Sequence, residues 1–204
     1  MPTKRQLPAE FIRRLNELEE SYLATDDPIR QSGFGGGPKR WRAEREPILD
    51  AVTTDGDLLD IGCANGYLLQ CLTAWGRERG VTLTPYGLDF SSKLIELARR
   101  RLSEYAANFY VGNAWDWQPP RRFKYVYTVY DCVLEEYLEE YVHRLLTRVV
   151  DKDGRLIIGA YGSRSQKQAP FDIAGFLKSY DFIVAGTAQD AIPPTSVFTW
   201  VDNR

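Results

Sequence analysis

The stretch that most limits how this chain can fold is LLDIGCANGYLL, residues 58–69. Leu58, Leu59 and Ile61 form an apolar run of the kind that suits a parallel strand buried on both faces. A turn with Gly62, Ala64 and Gly66 at alternate positions follows at once, and Leu68, Leu69 and Leu72 continue at helical spacing. Strand, tight turn and helix in that order bring small residues and unpaired helix-start amides to one edge of a sheet, where a ligand can approach the backbone closely.

The rest of the chain alternates in the same way. Phe11, Ile12, Leu15, Leu18 and Leu23 recur at helical spacing within Ala9 to Leu23, which predicts an amphipathic helix. The segment DDPIRQSGFGGGPKRW that follows is too rich in Pro, Gly and Ser for regular structure, and helix resumes from Arg42 to Val52. After the Asp55-Gly56 turn, strands are expected at Asp57 to Ile61, Thr82 to Leu88, Phe109 to Val111, Phe123 to Tyr130 and Arg155 to Ala160. Helices fall between them, from Asn65 to Trp75, after a cap at Ser91 or Ser92, and after the fourth strand up to Val150. A helix over Phe171 to Tyr180 precedes two last strands, Phe182 to Thr187 and Ser196 to Val201, with no helix between them.

Chemistry-bearing residues cluster at the ends of these strands. Asp60 closes the first. Asp89 closes the second, where a doubly wound sheet presents an acid to a ribose. VGNAWDW follows the third. Taken in order, these three blocks resemble the motifs of class I S-adenosylmethionine-dependent methyltransferases over roughly residues 55–201. The resemblance implies an α/β, three-layer Rossmann-like fold with a seven-stranded, mostly parallel sheet and an antiparallel last strand. It implies S-adenosyl-L-methionine as cofactor, with Asp60 helping to position its methionine part and Gly62, Cys63, Ala64 and Gly66 as further cofactor-binding residues of the turn. Asp89 would then meet the ribose, and Phe90, Asn113, Ala114 and Trp115 the adenine. Two departures leave the needed donors and acceptors in place: Ala64 stands where a glycine is common, and Lys124 where many relatives have Asp.

Methyl transfer needs positioning and desolvation more than acid-base machinery. Tyr130 and Asp131, just beyond the fourth strand, are the catalytic candidates, because ligands in such sheets bind beyond the carboxyl ends of the strands. The single histidine, His143, falls on the polar side of its helix. Residues 1–54 read as a helical extension with a Gly-rich loop, and residues 55–204 as the cofactor-binding domain. Phe34 and Trp41 among four nearby glycines make residues 32–41 a candidate lid over the substrate, the alternative being a passive linker.

A net charge of -2 gives no global pull toward nucleic acid, and the basic runs Lys39 to Arg45 and Arg99 to Arg101 read as solvated faces. A small-molecule acceptor is therefore favoured over RNA. Three cysteines without Cys-x-x-Cys spacing argue against a disulfide framework or a zinc site, so no metal is expected. The N-terminus, MPTKRQLPAEF, has no apolar run of an export signal, and nothing reads as a membrane span, so the expected compartment is the cytoplasm. Two other readings stay open: a nicotinamide-binding Rossmann oxidoreductase and a cofactor-binding module without catalysis. Against the first, the dinucleotide fingerprint wants a third small residue where this chain has Tyr67. The oligomeric state is not legible.

Overall fold

A computed structural model describes residues 8–204, so the segment read as lacking an export signal lies mostly outside the described residues. Helix α1 (Ala9–Leu23) spans the amphipathic stretch. The Gly-rich segment contains a 3-10 helix over Arg30–Ser32 and a short helix, α2 (Pro38–Ala43), where irregular chain was expected. Pro38 opens it, at a position where the missing N–H has no helical partner to lose. The helix expected over 42–52 is not continuous: α2 stops at Ala43, and a 3-10 helix takes Glu46–Ala51. In an unbroken helix the Pro47 ring would meet the carbonyl of Ala43, four residues back.

The core then runs β1 (Gly56–Ile61), α3 (Tyr67–Glu78), β2 (Leu83–Asp89), α4 (Ser92–Arg101), β3 (Phe109–Val111), β4 (Phe123–Val129), α5 (Leu138–Arg148), β5 (Val150–Tyr161), α6 (Ile173–Ser179), β6 (Val184–Gln189) and β7 (Ser196–Asp202). They form one seven-stranded sheet in the order β3-β2-β1-β4-β5-β7-β6. Only β7 runs against its neighbours, pairing antiparallel with both β5 and β6. The order reverses beside β1, which pairs with β2 on one side and β4 on the other, and this is where an open α/β sheet leaves a crevice.

Helix α3 starts two residues later than expected because Gly66 adopts φ +72, and it continues past Gly76 to Glu78. Ser91, not Ser92, caps α4, its Oγ accepting from the Leu94 amide at 3.1 Å. The Asp153-Gly154 turn lies inside β5 rather than before it, with Asp153 at φ +61 and its amide bonded to the Asn203 carbonyl.

Adjacent residues of β1 go to opposite layers. Leu58 joins a cluster with Leu69, Leu72, Ile48 and Phe198, while Leu59 and Ile61 join Val126, Tyr141, Val142 and Leu156. Residues 41–52 belong to the first layer: Trp41, Ile48, Leu49 and Ala51 are buried in it, and Arg155 Nη1 donates to the Ala51 carbonyl at 2.6 Å. Ile48 is fully buried, so Ile48→Ala should lower unfolding stability by about 2 to 5 kcal/mol through lost burial and a residual cavity. Urea unfolding measures this, and an unchanged midpoint would mean that residues 41–52 contribute nothing to the core.

Candidate active site

Two adjoining chambers open at the carboxyl ends of β1, β2 and β4. The first, of about 170 Å³, lies between the β-strand ends and helix α1. The second, of about 700 Å³, continues from it past Gly62, Ala64 and Asp131 toward residues 32–45 and 161–165.

The turn after β1 is held from several sides. Gly62 takes φ +87 and its amide donates to the Leu88 carbonyl at 2.8 Å; a Cβ there would come within 3.0 Å of Cys132 Sγ. Ala64 bends at φ 46, and its amide donates to Asp89 Oδ2 at 2.9 Å. Asp89 Oδ1 accepts from the Ser91 amide at 2.9 Å, so one buried carboxylate joins the β1 turn to the start of α4. Asn65, fully buried, donates to the Pro28 carbonyl and Gln31 Oε1 and accepts from Ser32 Oγ and the Tyr67 amide. It thereby binds the chain before α2 to the same turn.

Of the residues singled out by sequence, Gly62, Ala64, Asp89, Phe90, Asn113, Ala114 and Asp131 line the first chamber. Asp60 and Cys63 line the second, which shares Gly62, Ala64 and Asp131 with the first. Three stand outside both. Gly66 serves helix packing: a Cβ on it would come within 2.9 Å of Ala98 Cβ. Trp115 is buried with its ring 5.4 Å from Tyr137. Tyr130 stacks on Phe171, 4.7 Å away and nearly parallel. Asn113 spends its side-chain oxygen on the Trp115 amide at 2.8 Å, which shapes the loop after β3. His143 packs on Phe182, away from both chambers.

Three aspartates facing the chambers are held toward the protonated form. Burial, and then the charge of Asp89, pushes Asp60 up to about 8 from 3.8. Burial likewise raises Asp89 to about 6, against the opposing pull of the Ser91 and Ala64 amides. Asp131 is raised as well by the protein atoms packed around it, although the residue itself stays open to solvent.

Several lining residues escaped the sequence reading. Helix α1 supplies Phe11, Leu15, Leu18 and Tyr22 to the first chamber, and its Glu19 accepts from Ser91 Oγ at 2.6 Å. The basic run read as a solvated face hides Arg45, which is only 6% exposed and lines the second chamber. Its guanidinium carbon lies 4.2, 4.0 and 4.6 Å from the ring centroids of Phe34, Trp41 and Tyr161. Tyr161 in turn shares a 2.8 Å hydrogen bond with Tyr127 on the floor of that chamber.

Residues 58–154 match a protein-family profile described as a methyltransferase domain. No curated protein matches the sequence. Solved structures do match the fold. A phosphoethanolamine N-methyltransferase from Haemonchus contortus, solved with phosphoethanolamine and S-adenosylhomocysteine, superposes with a TM-score of 0.72 at 14% identity, covering 99% of this chain and 51% of that one. A putative methyltransferase from Haloferax volcanii, in complex with the Trm112 methyltransferase activator, gives 0.67 at 12% identity over 93% of this chain and 97% of that one. An S-adenosylmethionine-dependent methyltransferase from Aquifex aeolicus gives 0.55 at 13% identity, over 93% and 98%.

The raised carboxyls make stability depend on pH with a definite sign. Between 3.8 and about 8 the folded Asp60 keeps a proton that the unfolded chain has released, so stability falls as pH rises through that window. Asp89 adds to the fall between 3.8 and about 6. Each group contributes a slope of at most about 1.4 kcal/mol per pH unit. Urea midpoints of the ligand-free protein should therefore be lower at alkaline than at mildly acidic pH, and Asp60→Asn should flatten the difference. An equal slope in the variant would remove Asp60 as its source.

Proposed function

We propose that the chain is a class I S-adenosylmethionine-dependent methyltransferase whose first chamber holds the cofactor's adenosine and whose second holds its amino-acid end together with a small-molecule methyl acceptor. The observation that carries this reading is the junction: Gly62, Ala64 and Asp131 border both chambers, so a group at that point is reached from either side.

The residues present fit the cofactor. Asp89 keeps unused lone pairs after accepting from Ala64 and Ser91, and would accept from the ribose hydroxyls. Phe90 and Ala114 would border the adenine, as would Asn113, whose side-chain oxygen is engaged within its own loop. Asp60, at the floor of the second chamber, would accept from the ammonium group and ionise as it did so. When bound, S-adenosylmethionine supplies a sulfonium methyl group: its carbon–sulfur bond breaks as the acceptor's nucleophile forms the new bond, and sulfur keeps the electron pair.

The protein's own part is alignment and exclusion of water. Helix α1 roofs the first chamber with Leu15, Leu18 and Tyr22. Residues 32–36 wall the second, and there Phe34 and Trp41 are anchored on Arg45, which leaves Gly35 and Gly37, each with open space beside it, as the pliable part of a lid. Asp131 is the group placed to take the proton that the acceptor's nucleophile sheds; Tyr130, stacked on Phe171, would act by fixing the backbone beside it. The size of the second chamber, a half-open seat of about 700 Å³, favours a small molecule over RNA.

Incubation with methyl-labelled cofactor and a fractionated cell extract tests the function. Label should enter the small-molecule fraction, and label in RNA or protein alone would overturn the acceptor class. Asp89→Ala should weaken cofactor binding by about 1.5 to 3 kcal/mol, the scale of a charge-assisted hydrogen bond. It should also lower the melting temperature, because the buried Ala64 and Ser91 amides lose their acceptor. Unchanged affinity by calorimetry in a folded variant would take Asp89 out of the site.

A further inference from the structure

Arg45 carries its charge in a place where the protein balances it only at a distance, through the Glu44 carboxylate and three aromatic rings. Its side chain is 8% exposed, and Nη1 is shut off from solvent without a hydrogen-bond partner among the described residues. The adjacent carboxylate, Glu44 Oε2, stands 3.8 Å from Nη1, and Glu44 Oε1 is already taken by Arg40 at 2.8 and 3.1 Å. Arg144 shows the contrast: its Nε is also unpartnered, but its two terminal nitrogens donate to the carbonyls of Trp117 and Ala114. Desolvating a guanidinium without such partners is costly, and a buried site of this kind calls for an anion. The rings of Phe34, Trp41 and Tyr161 crowd the group on several sides and confine it beside the second chamber. A planar, confined guanidinium is matched by a planar carboxylate that takes two parallel hydrogen bonds.

We propose that Arg45 is the carboxylate seat of the second chamber. The proposal rests on the two-chamber reading above, in which two molecules can bring a carboxylate: the cofactor, through its amino-acid end, and an acidic acceptor. The aromatic clamp makes the site specific for arginine, because a lysine ammonium offers no plane to stack and no fork to pair.

Calorimetry with three probes separates the sources. S-adenosylhomocysteine carries the carboxylate, 5′-methylthioadenosine keeps the adenosine and sulfur without the amino-acid end, and succinate titrated into the S-adenosylhomocysteine complex stands for an acidic acceptor. If the seat serves the cofactor, Arg45→Gln weakens S-adenosylhomocysteine by about tenfold or more and leaves methylthioadenosine unchanged, the scale of one lost charge-assisted pair. If it serves the acceptor, S-adenosylhomocysteine binding is kept and the saturable binding of succinate is lost. In either case Arg45→Lys fails to restore the loss. Equal effects on all probes, no effect on any, or full rescue by lysine overturns the proposal. Should Arg45→Gln not fold, the wild-type protein is titrated with S-adenosylhomocysteine lacking its carboxyl group and, as its complex with S-adenosylhomocysteine, with succinate and succinamide. Loss of affinity on removing the carboxylate supports the seat, and equal affinity within both pairs overturns it. A protein that binds none of the adenosine probes refutes the methyltransferase reading itself, a result distinct from selective loss at Arg45.

Discussion

One buried carboxylate ties together most of what makes the crevice. Asp89, at the end of β2, accepts from the amide of Ala64 in the turn after β1 and from the amide of Ser91 at the start of α4. Ser91 then caps α4, and its hydroxyl donates to Glu19 of α1. Two strand ends, a helix start and the roof over the first chamber thus meet through one side chain and its neighbour. The cost is a carboxyl held at about 6 in a largely dry position, and that cost keeps the group reactive toward hydrogen-bond donors.

The parts of the fold that could be read from sequence were those where one physical demand dominates. β1, buried on both faces, needs an unbroken apolar run, and Leu58, Leu59 and Ile61 supply it. The strand-end acids Asp60 and Asp89 are local to the turns that expose them. Helix α1 showed its stripe in sequence, but periodicity gives a face and not what the face covers, so its place over the first chamber was hidden. Arg45 was hidden more thoroughly. A charge run carries no sign of burial, and the clamp comes from Phe34, Trp41 and the distant Tyr161, brought together only by folding. Misread boundaries trace to single residues, Pro47 breaking the helix expected over 42–52 and Gly66 delaying the start of α3.

Asn65 shows how the N-terminal segment is made part of the site. Its amide group reaches Pro28, Gln31 and Ser32 while it also receives the first free amide of α3. Ser32 Oγ also donates to the Pro28 carbonyl, so these contacts close into one small network. The Gly-rich stretch therefore leaves from a fixed point and returns to another at Trp41, whose indole N–H meets Cys71 Sγ at 3.3 Å. Between these anchors Phe34 is held against Arg45, while Gly35 and Gly37 have open space beside them.

The acids around the two chambers make the crevice answer to charge. Asp60, Asp89 and Asp131 are all raised above the ordinary carboxylate range, and a cation brought near any of them would favour its negative form. A positively charged occupant would therefore be linked to proton release on entry and to proton uptake on departure, and its affinity would rise with pH across the window in which these groups titrate.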